Sequence, residues 1–142
     1  MQSEILAEQS VWRILAKYFI HGIGFSVLGT ILTVAWVLGL LVLVMLGSFI
    51  GLIIGLAVLV LIIGFANAVI TTELWFPVKS GLWDTFLHGF VLLAILVIVD
   101  GLIVTLPSIV FPSLGTTIIT FIVSSFINGF ICKKVAEWWE EE

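Results

Sequence analysis

One uncharged run in this chain is too long for a soluble fold to enclose. From Gly22 to Thr72 there is no Asp, Glu, Lys or Arg. About 20 apolar residues cross the ~30 Å hydrocarbon core of a bilayer, and this run is more than twice that length. Only 10% of all residues are charged, against about 25% in typical soluble domains. The sequence therefore predicts an all-α integral membrane protein.

Glycine and proline divide the apolar sequence into four predicted membrane-spanning helices. The first apolar run must contain two spans, which we expect to reverse near Gly47, where glycine relaxes the backbone. The second run is expected to reverse between Pro107 and Pro112, because proline interrupts helices. The predicted spans are 20–44, 49–71, 86–106 and 114–132. They define an N-terminal segment at 1–19, a hairpin at 20–71, a loop at 72–85, a hairpin at 86–132 and an acidic tail at 133–142.

The N-terminal segment has a weakly amphipathic helical pattern over residues 3–18. It is expected either to lie at the lipid headgroups as a short interfacial helix or to extend the first span. The first ten residues contain two acids and no base, unlike the basic start of a secretory signal. No cleavage is expected.

The basic residues predict the orientation in the membrane. All five lie on one side of the four predicted spans: Arg13, Lys17, Lys79, Lys133 and Lys134. Basic residues are enriched in cytoplasmic segments, so both termini and the 72–85 loop are predicted to be cytoplasmic. Tryptophans near both ends of the chain and in the loop fit an aromatic belt at that same surface.

Two short sequence motifs recur at the edges of the hairpins and suggest an internal repeat. Phe-Ile-His-Gly at 19–22 resembles Phe-Leu-His-Gly at 86–89, and Phe-Ala-Asn-Ala at 65–68 resembles Phe-Ile-Asn-Gly at 126–129. The two hairpins are therefore predicted to be related, with an axis along the membrane normal. This relation places His21, His88, Asn67 and Asn128 at one depth near the cytoplasmic surface. They are expected either to bond one another across each hairpin or to form a functional polar layer.

Asp100 is the single acid within the predicted spans. It lies three helical turns deeper than His88, and Thr33 holds the corresponding place after His21. An acid at bilayer depth is costly unless it is neutral, paired or wetted, which makes it a functional candidate. The alternative is a protonated carboxyl bonded to Thr33, Thr105 or a backbone carbonyl.

Gly47, Gly51 and Gly55 form overlapping Gly-xxx-Gly steps. On a helix they make one smooth stripe, which predicts close contact with another helix. The partner is either a span of the same chain or another subunit.

The remaining motifs argue against an enzyme. Asp84 and His88 share a helix face and could start a metal site, but three or four ligands are usual, and only His21 could supply a third. No catalytic arrangement, phosphate loop or cysteine pair occurs. We therefore expect no metal, no cofactor and no nucleic-acid partner. The predicted function is a non-enzymatic accessory, scaffold or assembly subunit, in contact with the lipid bilayer and with other membrane subunits or copies of itself. The alternative is an oligomeric transporter or channel that uses Asp100 and the His/Asn layer.

Overall fold

The computed structural model describes residues 2–45, 49–78 and 81–140, without the side chains of 2–9, 29, 32–33 and 42–45. Its helices are α1 (Gln2–Met45), α2 (Phe49–Leu74), α3 (Leu82–Asp100), α4 (Leu106–Val110) and α5 (Leu114–Glu140), with a π-helical segment at Gly101–Thr105 between α3 and α4. No described residue is in a β-strand. The predicted all-α class is confirmed.

Three described helices are long and apolar enough to cross a membrane. They are Phe49–Leu74, the continuous stretch Leu82–Val110, and Leu114–Glu140. These helices indicate an integral membrane protein with lipid contact, as predicted. The predicted span at 20–44 lies within α1 and is not one of the three, so it stays a prediction. Helix α1 runs through the predicted boundary at 19/20 without a break.

The long helices pack as a closed ring in the order α1, α2, α3, α5. Each helix contacts both of its neighbours in the ring, and α2 also contacts α5 across the centre. Helices α1 and α3 are diagonal, and their backbones do not approach each other closely in the described part of the chain, although Phe25 of α1 shares an apolar cluster with Leu92 of α3. The space between α1 and α3 therefore remains unfilled along part of the bundle.

Glycine pairs bring the backbones of two helix pairs into direct contact. A Cβ atom added to Gly22 on α1 would overlap the carbonyl oxygen of Ser125 on α5, and one added to Gly129 would overlap that of Tyr18. Gly64 and Gly89 form the corresponding crossing of α2 with α3. Small residues permit such close approach, which is how membrane helices gain packing energy without a hydrophobic driving force.

The predicted glycine stripe faces α1 of the same chain. Gly51 and Gly55 are buried on α2. A Cβ at Gly55 would lie 2.6 Å from the Leu40 side chain, and Trp36 Nε1 donates a hydrogen bond of 2.5 Å to the Gly55 carbonyl. At Gly55 the contact is therefore internal to the chain. Gly47 lies outside the described residues.

Pro107 does not end the third span, contrary to the sequence-based expectation. The helix continues to Val110, and the reversal occurs at residues 111–113. A proline ring displaces the carbonyl four residues earlier, here that of Ile103. The π-helical segment accommodates this displacement, because the Leu106 N–H bonds the Gly101 carbonyl five residues back.

The connection between α2 and α3 is shorter than the predicted loop at 72–85. Helix α2 continues to Leu74, and α3 already begins at Leu82. The Asp84 carboxylate accepts the Gly81 N–H at 3.0 Å and so caps the start of α3. An acid in the first helical turn satisfies a free N–H and complements the helix dipole, which explains the earlier start.

Candidate intramembrane polar sites

Asn67 joins α1, α2, α3 and α5 through one side chain, in a group here called the Asn67 clamp. His21 Nε2 lies 2.9 Å from Asn67 Oδ1. The Asn67 amide nitrogen lies 2.8 Å from His88 Nε2 and donates to the Cys132 carbonyl at 3.0 Å. His21, Asn67 and His88 are all fully buried. The clamp therefore fixes the mutual position of the long helices at this level.

The hydrogen bonds assign the tautomers of both histidines in the clamp. Trp75 Nε1–H donates to His21 Nδ1 at 3.1 Å, so a neutral His21 carries its proton on Nε2 and donates it to Asn67 Oδ1. The Asn67 amide then donates to His88 Nε2, which places the His88 proton on Nδ1. That Nδ1 atom is buried and has no described hydrogen-bond partner. With both rings neutral, the clamp needs no buried charge.

Trp75 covers the outer side of the clamp. Lys17 Nζ lies 5.0 Å and Lys133 Nζ 4.9 Å from its ring centroid, and Tyr18 packs against it with ring centroids 5.0 Å apart. Lys17 also donates to the Leu74 carbonyl at the end of α2 at 2.9 Å. Cation–π contacts of this kind contribute roughly 0.5–1 kcal/mol each at exposed sites. Residues from α1, α2 and α5 thus meet at one end of the bundle.

Asp100 forms a second polar group with α5, here called the Asp100 cluster. Ser124 Oγ donates to Asp100 Oδ1 at 2.6 Å, and Asn128 Nδ2 donates to the two carboxylate oxygens at 3.0 and 3.2 Å. Asn128 Nδ2 also lies 3.0 Å from Ser124 Oγ. The four-residue spacing of Ser124 and Asn128 puts both on one face of α5. No lysine or arginine contacts Asp100 in the described part of the chain.

An apolar layer separates the clamp from the Asp100 cluster. Successive turns along one face of α3 carry His88, Leu92, Leu96 and Asp100. The helical rise from His88 to Asp100 is about 18 Å. Leu92 and Leu96 are buried and pack with Phe25, one turn after His21 on α1. On α5 the two groups are only one turn apart, yet no described hydrogen bond links them.

A cavity of about 470 Å³ adjoins the Asp100 cluster. It lies between α1 and α3, whose backbones are far apart, and α2 and α5 contribute the rest of its wall. Its lining is Phe25, Ser26, Thr30, Val34, Ile63, Leu93, Leu96, Val97, Asp100 and Asn128. Asp100 itself is half-buried. The carboxylate is therefore neither in the lipid nor sealed inside the bundle.

The structure brings some of the predicted site residues together and separates others. His21 and Asn67 bond as expected for the first hairpin, but His88 also bonds Asn67, and Asn128 bonds Asp100 instead. The Thr33 side chain is outside the described part of the chain. Sequence reasoning missed Ser124, Ser26 and Thr30, although the spacing of Ser124 from Asn128 was an available signal.

The glycine crossings relate the two hairpins in a register different from the one the recurring motifs suggest. Gly22 and Gly89 play equivalent roles, and each directly follows a histidine. Gly129 and Gly64 are likewise equivalent, which pairs Asn67 with Cys132, because each follows its glycine by three residues. The internal repeat is therefore not confirmed in the predicted pairing of Asn67 with Asn128.

The three residues considered as possible metal ligands, His21, Asp84 and His88, have other roles in the structure. Asp84 caps α3, whereas His21 and His88 belong to the clamp. Among the described residues, no group of three His, Cys, Asp or Glu side chains is placed to hold a metal ion.

These features define a class rather than a family: an all-helical protein with membrane-length apolar helices and a half-buried carboxylate beside a cavity. Comparison with known proteins finds no matching family model, no matching curated protein and no matching solved structure.

Proposed function

We propose that this chain is a non-enzymatic, four-span membrane protein that serves as an accessory or assembly subunit for other membrane helices. In this proposal the predicted span at 20–44 crosses the bilayer as the central part of α1. Both termini and the short connection between α2 and α3 lie in the cytoplasm.

The convergence of basic residues supports this orientation. Lys17 and Lys133 both contact Trp75, so the start of the first span and the end of the last lie at the same end of the bundle. That end carries the positive charge that favours the cytoplasmic side. The 111–113 reversal is uncharged.

Cysteine accessibility tests the proposed topology. In a Cys132→Ala background, Ser113→Cys should react with a membrane-impermeant maleimide added outside intact cells. Ser80→Cys should react only after the membrane is permeabilised. Labelling of Ser80→Cys from outside would contradict the orientation, and labelling of both positions from the same side would contradict the four-span count.

The observation that supports the accessory role is the separation of the two polar groups. The Asn67 clamp and the layer of Phe25, Leu92 and Leu96 close one end of the bundle with uncharged polar groups and apolar groups. No described chain of polar groups connects Asp100 to that end. A single chain with this interior is suited to packing against partners and poorly suited to conducting ions.

Purification from the native membrane in lipid nanodiscs, followed by native mass spectrometry, tests the accessory role. A stoichiometric partner of different mass is the expected result. A particle containing only copies of this chain would contradict the proposal.

The oligomeric transporter or channel is the second candidate, and the cavity beside Asp100 is the observation that favours it. If several chains together form a path, purified protein in proteoliposomes should move cations or protons. Asp100→Asn should then abolish that flux without changing assembly. Flux that is absent in wild-type vesicles would leave the accessory role as the better proposal.

A further inference from the structure

The cavity beside Asp100 opens at the depth of the bilayer. Two of its lining residues, Val34 on α1 and Val97 on α3, are 56% and 64% exposed. Both lie within apolar helical stretches, so the mouth between α1 and α3 faces hydrocarbon. A molecule that enters must already be dissolved in the membrane.

The polar part of the cavity is rich in hydrogen-bond acceptors. Among the described residues, Asp100 Oδ2 accepts only the longer bond from Asn128, and a carboxylate oxygen has two acceptor sites. The Asn128 Oδ1 atom also has no described partner, but it is enclosed by protein, so Asp100 Oδ2 is the acceptor within reach of a ligand. The Thr30 hydroxyl already donates to the Ser26 carbonyl at 2.7 Å. The wall therefore complements a ligand that supplies N–H donors and positive charge.

The chain itself provides no cation for this wall. There is no Lys or Arg between Lys17 and Lys79, nor between Lys79 and Lys133. Lys133 comes nearest along the sequence, five residues after Asn128, but its ammonium group pairs with Glu137 and lies over the Trp75 ring. A buried or half-buried carboxylate gains most from a charge-assisted hydrogen bond to a cationic donor, which must here come from another molecule.

The remaining wall is apolar and of suitable size. Phe25, Ile63, Leu93 and Leu96 line it beside the polar end. Small-molecule sites are typically clefts of about 300–1,000 Å³ with an apolar lining and a few convergent polar groups. The volume of about 470 Å³ falls in that range.

We propose that this cavity binds a small hydrophobic molecule carrying a primary ammonium group. The ammonium contacts the Asp100 carboxylate, and the apolar body lies along Phe25, Ile63 and Leu96. A quaternary ammonium of equal size lacks N–H donors and binds more weakly. The proposal is independent of the accessory role and holds whether or not a protein partner exists.

Fluorine NMR of the full chain in phosphatidylcholine nanodiscs tests the site. The probes are 4-(4-fluorophenyl)butylammonium, its N-trimethyl analogue and the corresponding alcohol, each corrected for partitioning into empty nanodiscs. The primary ammonium should bind on the order of tenfold more tightly than either analogue, because charge-assisted hydrogen bonds are the stronger class. Equal affinity for all three probes would overturn the proposal.

Two pairs of variants locate the binding. Asp100→Asn should weaken binding of the ammonium probe about tenfold. Asp84→Asn, at the start of the same helix, should leave that binding unchanged. Thr30→Phe keeps Asp100 but fills the cavity and should also block binding. Its control is Ile31→Phe, at an exposed position that does not line the cavity.

Unchanged binding in Asp100→Asn or in Thr30→Phe would overturn the assignment of the site. Preferential binding of a leucine-rich spanning peptide with one central lysine, in place of the small amine, would also overturn it. Loss of amine binding with a native partner still attached would leave the accessory role standing.

Discussion

The Asn67 clamp and the Asp100 cluster are both polar groups inside an apolar bundle, but they are satisfied in different ways. The clamp uses neutral groups from α1, α2, α3 and α5 and is fully buried. The Asp100 cluster uses donors from α5 alone and adjoins a cavity. A polar group that bonds every helix around it has little left to offer a ligand. A carboxylate held from one side retains free acceptor sites.

Removing the centre of the clamp should have the largest effect. Asn67→Leu has similar volume but leaves His21 Nε2–H, His88 Nε2 and the Cys132 carbonyl without their partner. The Cys132 carbonyl lies within α5 and keeps its helical bond, so the two histidine nitrogens lose most; at about 1–3 kcal/mol for each unpaired buried group, we expect a loss of roughly 2–6 kcal/mol. Reversible unfolding in mixed micelles measures this loss. If Asn67→Leu lowers the free energy of unfolding by less than Asp100→Asn does, the clamp does not stabilise the bundle more than the Asp100 cluster does.

The glycine crossings should come next, because they set the helix spacing on which the clamp depends. Gly22→Ala and Gly89→Ala each place a Cβ atom against a backbone carbonyl. Backbone cannot move aside as a side chain can, so each should cost about 1–3 kcal/mol. Gly39→Ala is the matched control, because a Cβ there meets nothing within 4 Å. Equal stability of Gly22→Ala and Gly39→Ala would contradict the close crossing.

Two substitutions at Asp100 should have the smallest structural effects and still differ from each other. Asp100→Asn keeps one acceptor oxygen for Ser124 and for the shorter bond from Asn128 and loses only the longer bond from Asn128. It should change stability by less than about 1 kcal/mol. Asp100→Leu removes the acceptor from two donors and should cost roughly 1–2 kcal/mol. Thermal unfolding and the yield of assembled protein compare the two. If Leu is tolerated as well as Asn, Asp100 has no structural role in the cluster.

The helical class was predictable because it depends on composition. A run without charge from Gly22 to Thr72 leaves an integral membrane protein as the outcome. The pairing of His21 with Asn67 was also accessible, since both lie at the edges of the same predicted hairpin. These inferences use distance along the chain and helical rise, and neither requires the packing to be known.

The partners of His88 and Asn128 were not predictable in the same way. They depend on how far α3 slides along α2 and along α5, and the glycine crossings determine that register. Gly64 pairs with Gly89, which brings His88 to Asn67, and Asn128 is left to meet Asp100. The recurring motifs suggested a symmetric arrangement because they match in sequence, whereas contact depends on the interhelical offset.

The π-helical segment after Asp100 acts on the helix like a one-residue insertion. Each residue advances an α-helix by about 100°, so one extra residue within a turn rotates everything beyond it by that angle. Asp100 and the leucines before it face the bundle, whereas Leu106, Ile109 and Val110 beyond the segment are exposed. Deleting Gly101 would restore an uninterrupted helical phase and turn a different set of side chains outward between Leu102 and Val110. The length of this short stretch therefore determines which surface the end of the third span presents to its surroundings.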